Sequence, residues 1–149
     1  MKPSIISDST CLIGLERIHA LEVLPALFDP IVIPQEVHRE FGIDMTWLHV
    51  EPPSNVAFVT SLKLVIDDGE AEAIALAYEK GWRVILDDRH ARKVAKGLGV
   101  TMLGTVGVLV QAKRQGLIPI LKPLIEKLAA NNFYISDDLK EEAFALVGE

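Results

Sequence analysis

Five acidic residues are placed where a folded chain can bring their carboxylates together. Asp8 follows the short apolar run of "SIISDSTCLIGL", and Asp87 and Asp88 close the apolar run of "WRVILDD". Glu40 lies in "QEVHREFG", with Glu36 four positions earlier on the same helical face, and Glu70 opens the alanine-rich stretch "DDGEAEAIALAYEKG". A carboxylate directly after a buried strand has no packing role. Several such groups converging without matching cations repel one another and cannot all stay ionised, so a cluster of this kind implies a bound divalent ion. The chain has one cysteine and no paired histidines, so the donors are oxygens, which points to Mg²⁺ or Mn²⁺ rather than zinc. Such an ion lowers the pKa of water and neutralises developing negative charge.

The elements that must position these acids read as βα units. "PSIIS" is a first buried strand, and "TCLIGLERIHALEVLPALF" carries apolar residues at helical spacing as two short helices broken near Arg17 to Ala20. "DPIVIP" is a second strand, "QEVHREFG" a helix stopped by Gly42, and the alanine-rich helix stops at Gly81. "WRVILDD" is a third strand, "RHARKVAKGLG" a helix, "VTML" a fourth strand and "GTVGVLVQAKRQG" the helix after it. The segment from Ile43 to Ser61 is expected to be an irregular surface connection with a short strand at "VAFV". Two amphipathic helices finish the chain, the last with Ser136 as N-cap and Asp137 and Asp138 in its first turn. This alternation predicts an α/β fold: a three-layer α/β/α domain with a central parallel sheet of about four strands and C-terminal helices. In such sheets ligands bind beyond the carboxyl ends of the strands, which is where Asp8 and the pair Asp87 and Asp88 fall.

Each acid also has a purely structural reading. Asp8 is placed to cap the helix beginning near Cys11, Asp87 or Asp88 to cap the next helix, and Asp67 with Glu70 forms a capping-box-like pair.

Composition narrows the class. The 149 residues are expected to form one domain, and half of them are hydrophobic, which excludes a disordered chain. The lone Cys11 has no second thiol for a disulfide, and no secretory leader or apolar run approaching the ~20 residues of a membrane span is read, so a cytoplasmic protein is expected. A formal net charge of −6 argues against binding nucleic acid through a global positive field, and leaves a focused basic patch as the route.

In order and spacing the acidic segments resemble those of PIN-domain nucleases. "SDSTCLIGL" is similar to the family's opening motif and "IPQEVHREF" to its second; "DDGEAEAIALA" followed by "VILDDRHAR" resembles the third and fourth. The tail from Gly104 to Leu139 resembles an uncharacterised subgroup related to VapC toxins. The resemblance implies a Mg²⁺- or Mn²⁺-dependent ribonuclease, the toxin of a toxin–antitoxin pair, whose partners are an RNA substrate, a small antitoxin protein and a second copy of the chain. It implies Asp8, Glu40, Glu70 and Asp88 as catalytic metal ligands, with Glu36 and Asp87 as rivals, and Ser9 and Thr10 as polar support. One departure stands out: a Thr or Ser usual two residues before the fourth acid is Leu86. That residue keeps open the alternative, a catalytically weak or inactive PIN-like fold that binds protein or RNA.

Arg89, Arg92, Lys93 and Lys96 recur at helical spacing beside the last acids and form a candidate RNA-binding stripe, or else an ordinary solvated face. His90 is placed to approach the acids, and Trp47 and Trp82 read as packing residues. A dinucleotide fold or a P-loop would require a glycine-rich loop after the first strand, and "SDSTCLIG" has none.

Overall fold

The computed structural model describes residues 1–149. Five short strands form one sheet: β1 (Ile5–Ser7), β2 (Ile31–Ile33), β3 (Leu48–Val50), β4 (Val84–Ile85) and β5 (Met102–Leu103). Every pairing is parallel, in the order β3-β2-β1-β4-β5. Ile6 is the central residue, pairing with Val32 on one side and Val84 on the other.

Parallel strands require crossovers, and the helices that supply them cover both faces. Alternation along each strand divides the core into two clusters. Ile5, Ile31, Ile33 and Ile85 face α1 (Ser9–Arg17), α2 (Val23–Leu27), α3 (Gln35–Phe41), α7 (Thr105–Arg114), α8 (Lys122–Ala130) and α9 (Asp137–Val147) in a cluster of 27 buried residues. Ile6, Val32, Val84 and Leu86 face α4 (Val56–Lys63), α5 (Asp68–Lys80) and α6 (Arg89–Gly97) in a cluster of 16. Because both faces are covered, the strands are continuous apolar runs, which is why they are legible in sequence.

The helix stops read from sequence are present: Gly42 and Gly81 take left-handed backbone after α3 and α5, with φ of 74° and 68°. The break between the first two helices passes through His19, also left-handed at φ 58°.

The segment expected to be irregular is corrected in two respects. "VAFV" is not a strand but the first turn of α4, whose amide at Phe58 is capped by the Asn55 side chain at 3.0 Å. Its buried residues are Val59 and Leu62, a spacing of three that suits a helix packed on α5 and not a pleated edge. The fifth strand lies just upstream, at Leu48–Val50. It pairs only with β2 and buries only Leu48, so it has no sustained apolar pattern to reveal it.

Leu86 directs its fully buried side chain into the second cluster. Leu86→Thr is therefore expected to cost about 2–4 kcal/mol by lost apolar burial and a buried hydroxyl. Thermal or urea unfolding of the variant checks this; an unchanged stability would show that position 86 does not belong to the core.

Candidate active site

The strand order 3-2-1-4-5 reverses direction of winding between β1 and β4, and at such a switch point the flanking loops diverge and leave a crevice at the carboxyl ends. Asp8 leaves β1 at that crevice and Asp87 leaves β4. The strands are in register, with Asp8 donating its amide to the Ile85 carbonyl at 3.0 Å, so the two acids are held side by side.

Asp8 is 3% exposed. Its Oδ1 accepts the Cys11 amide at 3.0 Å as the N-cap of α1, and its Oδ2 accepts the Asp87 amide at 3.3 Å. The capping role anticipated for Asp8 is thus real, and it does not exclude another, since each oxygen keeps a further lone pair. Burial pushes its pKa well above the ordinary range, and the charge of Asp87 raises it further; the two backbone amides oppose the shift, and Glu70 adds to it.

Asp87 has a different set of partners. Thr105, at the start of α7, donates its amide to Oδ1 at 2.9 Å and its hydroxyl to Oδ2 at 2.6 Å. Burial raises the Asp87 pKa against these two bonds and the attraction of Arg92. Close packing here requires Gly104, where a Cβ would lie 3.2 Å from Asp87 Oδ1. Thr105 was not singled out in the sequence. Its only signal is position, a hydroxyl residue following a strand end, and the Asp87 hydroxyl partner comes from β5–α7 instead of from position 86.

The remaining acids stand at the rim. Glu70 lies in the first turn of α5, its amide capped by Asp67 at 2.9 Å, as the capping-box reading expects. Burial, then the charges of Asp67 and Asp88, push Glu70 up to about 8. Asp88 caps α6 through the Ala91 amide at 2.9 Å, so it is Asp87 and not Asp88 that touches Asp8. Glu40 accepts a hydrogen bond from the Ser9 hydroxyl at 3.3 Å, and its pKa is raised by partial burial and by Asp67. Its neighbour Glu36 turns to Arg39. Glu40 comes so close over α5 that a Cβ on Gly69 would meet its Oε1 and push the flexible carboxylate aside.

The acids therefore form two linked groups, Asp8 with Asp87 and Glu70 with Asp67 and Asp88, while Glu40 reaches in from α3. No three His, Cys, Asp or Glu side chains converge into a finished cation cage. The donor chemistry nonetheless fits a hard divalent ion: all donors are carboxylate oxygens, and their mutual repulsion and desolvation are what such a charge relieves.

Other candidates are positioned as follows. Cys11 lies beneath the acids, where burial and the charges of Asp8 and Asp87 push its thiol up and keep it from acting as a nucleophile. His90 donates to the Val65 carbonyl at 2.9 Å. Of the basic stripe, Arg89, Lys93 and Lys96 are exposed, whereas Arg92 is half-buried and donates to the Leu86 carbonyl at 2.7 Å. Trp47 and Trp82 pack against the two core clusters.

The family model described as a PIN domain matches residues 4–149, nearly the whole chain. No curated protein matches the chain significantly.

Two expectations follow from this geometry. Gly69→Ala replaces a glycine in the first turn of α5, so stability is expected to hold or rise by less than about 1 kcal/mol, while the displaced Glu40 lowers any activity of the site; unfolding and turnover measured on one preparation test the opposed signs. Glu70 binds a proton more tightly in the folded chain than at its ordinary value of 4.5. The stability it contributes is fully present below that value and is lost as the pH rises through about 8. In chelator-containing buffer the melting temperature should fall between about pH 5 and pH 8, and Glu70→Gln should flatten that slope.

Proposed function

The chain belongs to the PIN-domain family, a nuclease fold, and we propose that it is a divalent-metal-dependent endoribonuclease. The observation that carries this reading is the pair Asp8, buried, and Asp87, half-buried, side by side at the switch point of a parallel sheet, with Glu70 near Asp8 and Glu40 held by Ser9 at the same edge. Desolvated carboxylates held close together are costly in a fold unless a cation or a proton is meant to join them.

Asp8, Asp87, Glu70 and Glu40 would hold Mg²⁺ or Mn²⁺, with Asp88 as the alternative to Asp87. When bound, the ion supplies Lewis acidity toward an attacking water and the phosphodiester, and neutralises charge developing on the leaving oxygen. The protein's own part is orientation. The Cys11 and Asp87 amides fix the Asp8 carboxylate, Thr105 fixes Asp87 with two hydrogen bonds, and Ser9 steadies Glu40. Arg89 beside the acids is placed to hold a phosphate. No histidine or lysine base is needed for this chemistry.

The same reading makes the protein the toxin of a toxin–antitoxin pair, restrained by a small antitoxin protein, on the strength of its resemblance to VapC-related chains. A homodimer is supported by the exposed apolar residues of the α4–α5 region, where Val56 is 73% and Leu64 83% exposed.

Cleavage of defined RNAs with Mn²⁺, with Mg²⁺ and with chelator tests the proposal. Strand scission that requires an ion is expected. Asp8→Asn, which keeps the N-cap of α1 and gives up the bond from the Asp87 amide, should lower it by at least about 100-fold while the protein still folds. Ion-independent cleavage, or activity retained in Asp8→Asn, would overturn it.

A further inference from the structure

Two hollows meet beside the acids and together form a groove between α1 and the α8–α9 connection. The larger, about 870 Å³, includes Asp87, Asp88, Arg89 and Tyr134 in its lining. The smaller, about 250 Å³, includes Ile13, Gly14 and Arg17. Thr10, Asn132 and Phe133 line both, so the two adjoin.

The groove's walls are fixed. One is a single face of α1, on which Thr10, Ile13, Gly14 and Arg17 recur at spacings of three, four and seven. The other is anchored through Phe133, whose amide donates to the Leu128 carbonyl at 3.1 Å. Its ring packs so closely on α1 that a Cβ at Gly14 would lie 3.2 Å away. Asn132 holds a left-handed backbone at φ 66°, a conformation that Asn tolerates better than most side chains. Tyr134 extends from this anchored segment into the larger hollow and is 85% exposed.

An aromatic ring held open to solvent contributes little to folding and is well suited to stack on a base. It shares the larger hollow with Arg89, next to the acids, and Arg17 is exposed in the lining of the smaller one. At about 1.5 Å per helical residue, Arg17 is about 14 Å along α1 from Asp8. Cation, acid cluster, aromatic and second cation match the alternation of phosphates and bases along one nucleic-acid strand. In a duplex the base faces are already stacked and cannot reach the ring.

Resting on the nuclease reading above, we propose that this groove is the track of a single-stranded RNA, with Tyr134 stacking on a base beside the scissile phosphate and Arg17 holding a phosphate beyond it. Tyr134 and Arg17 are positioning residues and take no part in the chemistry.

Binding of a fluorescent single-stranded RNA and of its duplex to full-length Asp8→Asn protein tests this, with further substitutions made in that background. Tyr134→Ala is expected to weaken single-strand binding by about 5–100-fold with an unchanged melting temperature, and Tyr134→Phe, which keeps the ring, to restore it. Arg17→Ala should weaken binding and reduce its salt dependence by about one counterion. Single-strand affinity unaffected by Tyr134→Ala, or an equal loss for the duplex, would overturn the proposal. If the parent chain cleaves RNA with Mn²⁺ while Tyr134→Ala binds and cleaves like the parent, the groove assignment fails alone. If binding follows the expected pattern while the parent cleaves no RNA with either ion, the nuclease reading fails and the groove stands.

Discussion

Placing two carboxylates side by side in a buried crevice is the constraint around which this fold is organised. Asp8 and Asp87 are brought together by the pairing of β1 with β4, Asp8 almost fully buried and Asp87 half-buried at the edge of the hollow. Desolvation and mutual repulsion both disfavour ionising the pair, so the surrounding structure must counter them with directed hydrogen bonds. Two backbone amides serve Asp8, and an amide with a hydroxyl serves Asp87. The bonds come from the starts of α1 and α7, where unpaired N–H groups point toward the crevice, and from the Asp87 amide in the loop after β4. The same atoms therefore cap helices and hold the acids, and the structural and functional readings of Asp8 describe one interaction.

The sheet makes this arrangement possible by being covered on both faces. With 27 core residues on one side and 16 on the other, β1 and β4 are buried throughout, and only the loops at their carboxyl ends can carry polar chemistry. Packing also sets how closely the rim can approach. Gly69 admits the Glu40 carboxylate over α5, and Gly104 admits Asp87 against α7. A methyl group at either position would move a carboxylate and leave the fold largely intact, so both glycines belong to the site more than to the scaffold.

The departure from the family at Leu86 and the make-up of the basic stripe are explained by the same packing. Leu86 stands where a hydroxyl is usual, yet its side chain lies in the core beneath α5 and α6, and the acid next to it takes its hydroxyl from Thr105. Arg92, one of four cations in a helical stripe, is withdrawn toward the Leu86 carbonyl and Asp87, so that Arg89, Lys93 and Lys96 remain for solvent or a polyanion. The absence of a finished cage among the acids accords with their repulsion, since nothing in the chain alone draws four carboxylates to one point.

The sequence by itself determined the parallel α/β architecture, the helix stops at Gly42 and Gly81, and the acids at strand ends, because doubly covered strands and helix caps leave local signals. It misread "VAFV" and the edge strand at Leu48–Val50, where a short, half-exposed element has too few buried residues to show a period. Only the tertiary structure decided that Asp87 is the neighbour of Asp8, that Thr105 supplies the hydroxyl, and that Phe133 and Tyr134 flank the acids. The offset from the strand favours Asp88 over its close rival Asp87 in the sequence, whereas strand pairing and the packing of distant helices set Asp87 beside Asp8. Contacts between residues 18 and 79 positions apart, such as Asp87 with Thr105 and Asp8 with Asp87, have no local periodicity to betray them.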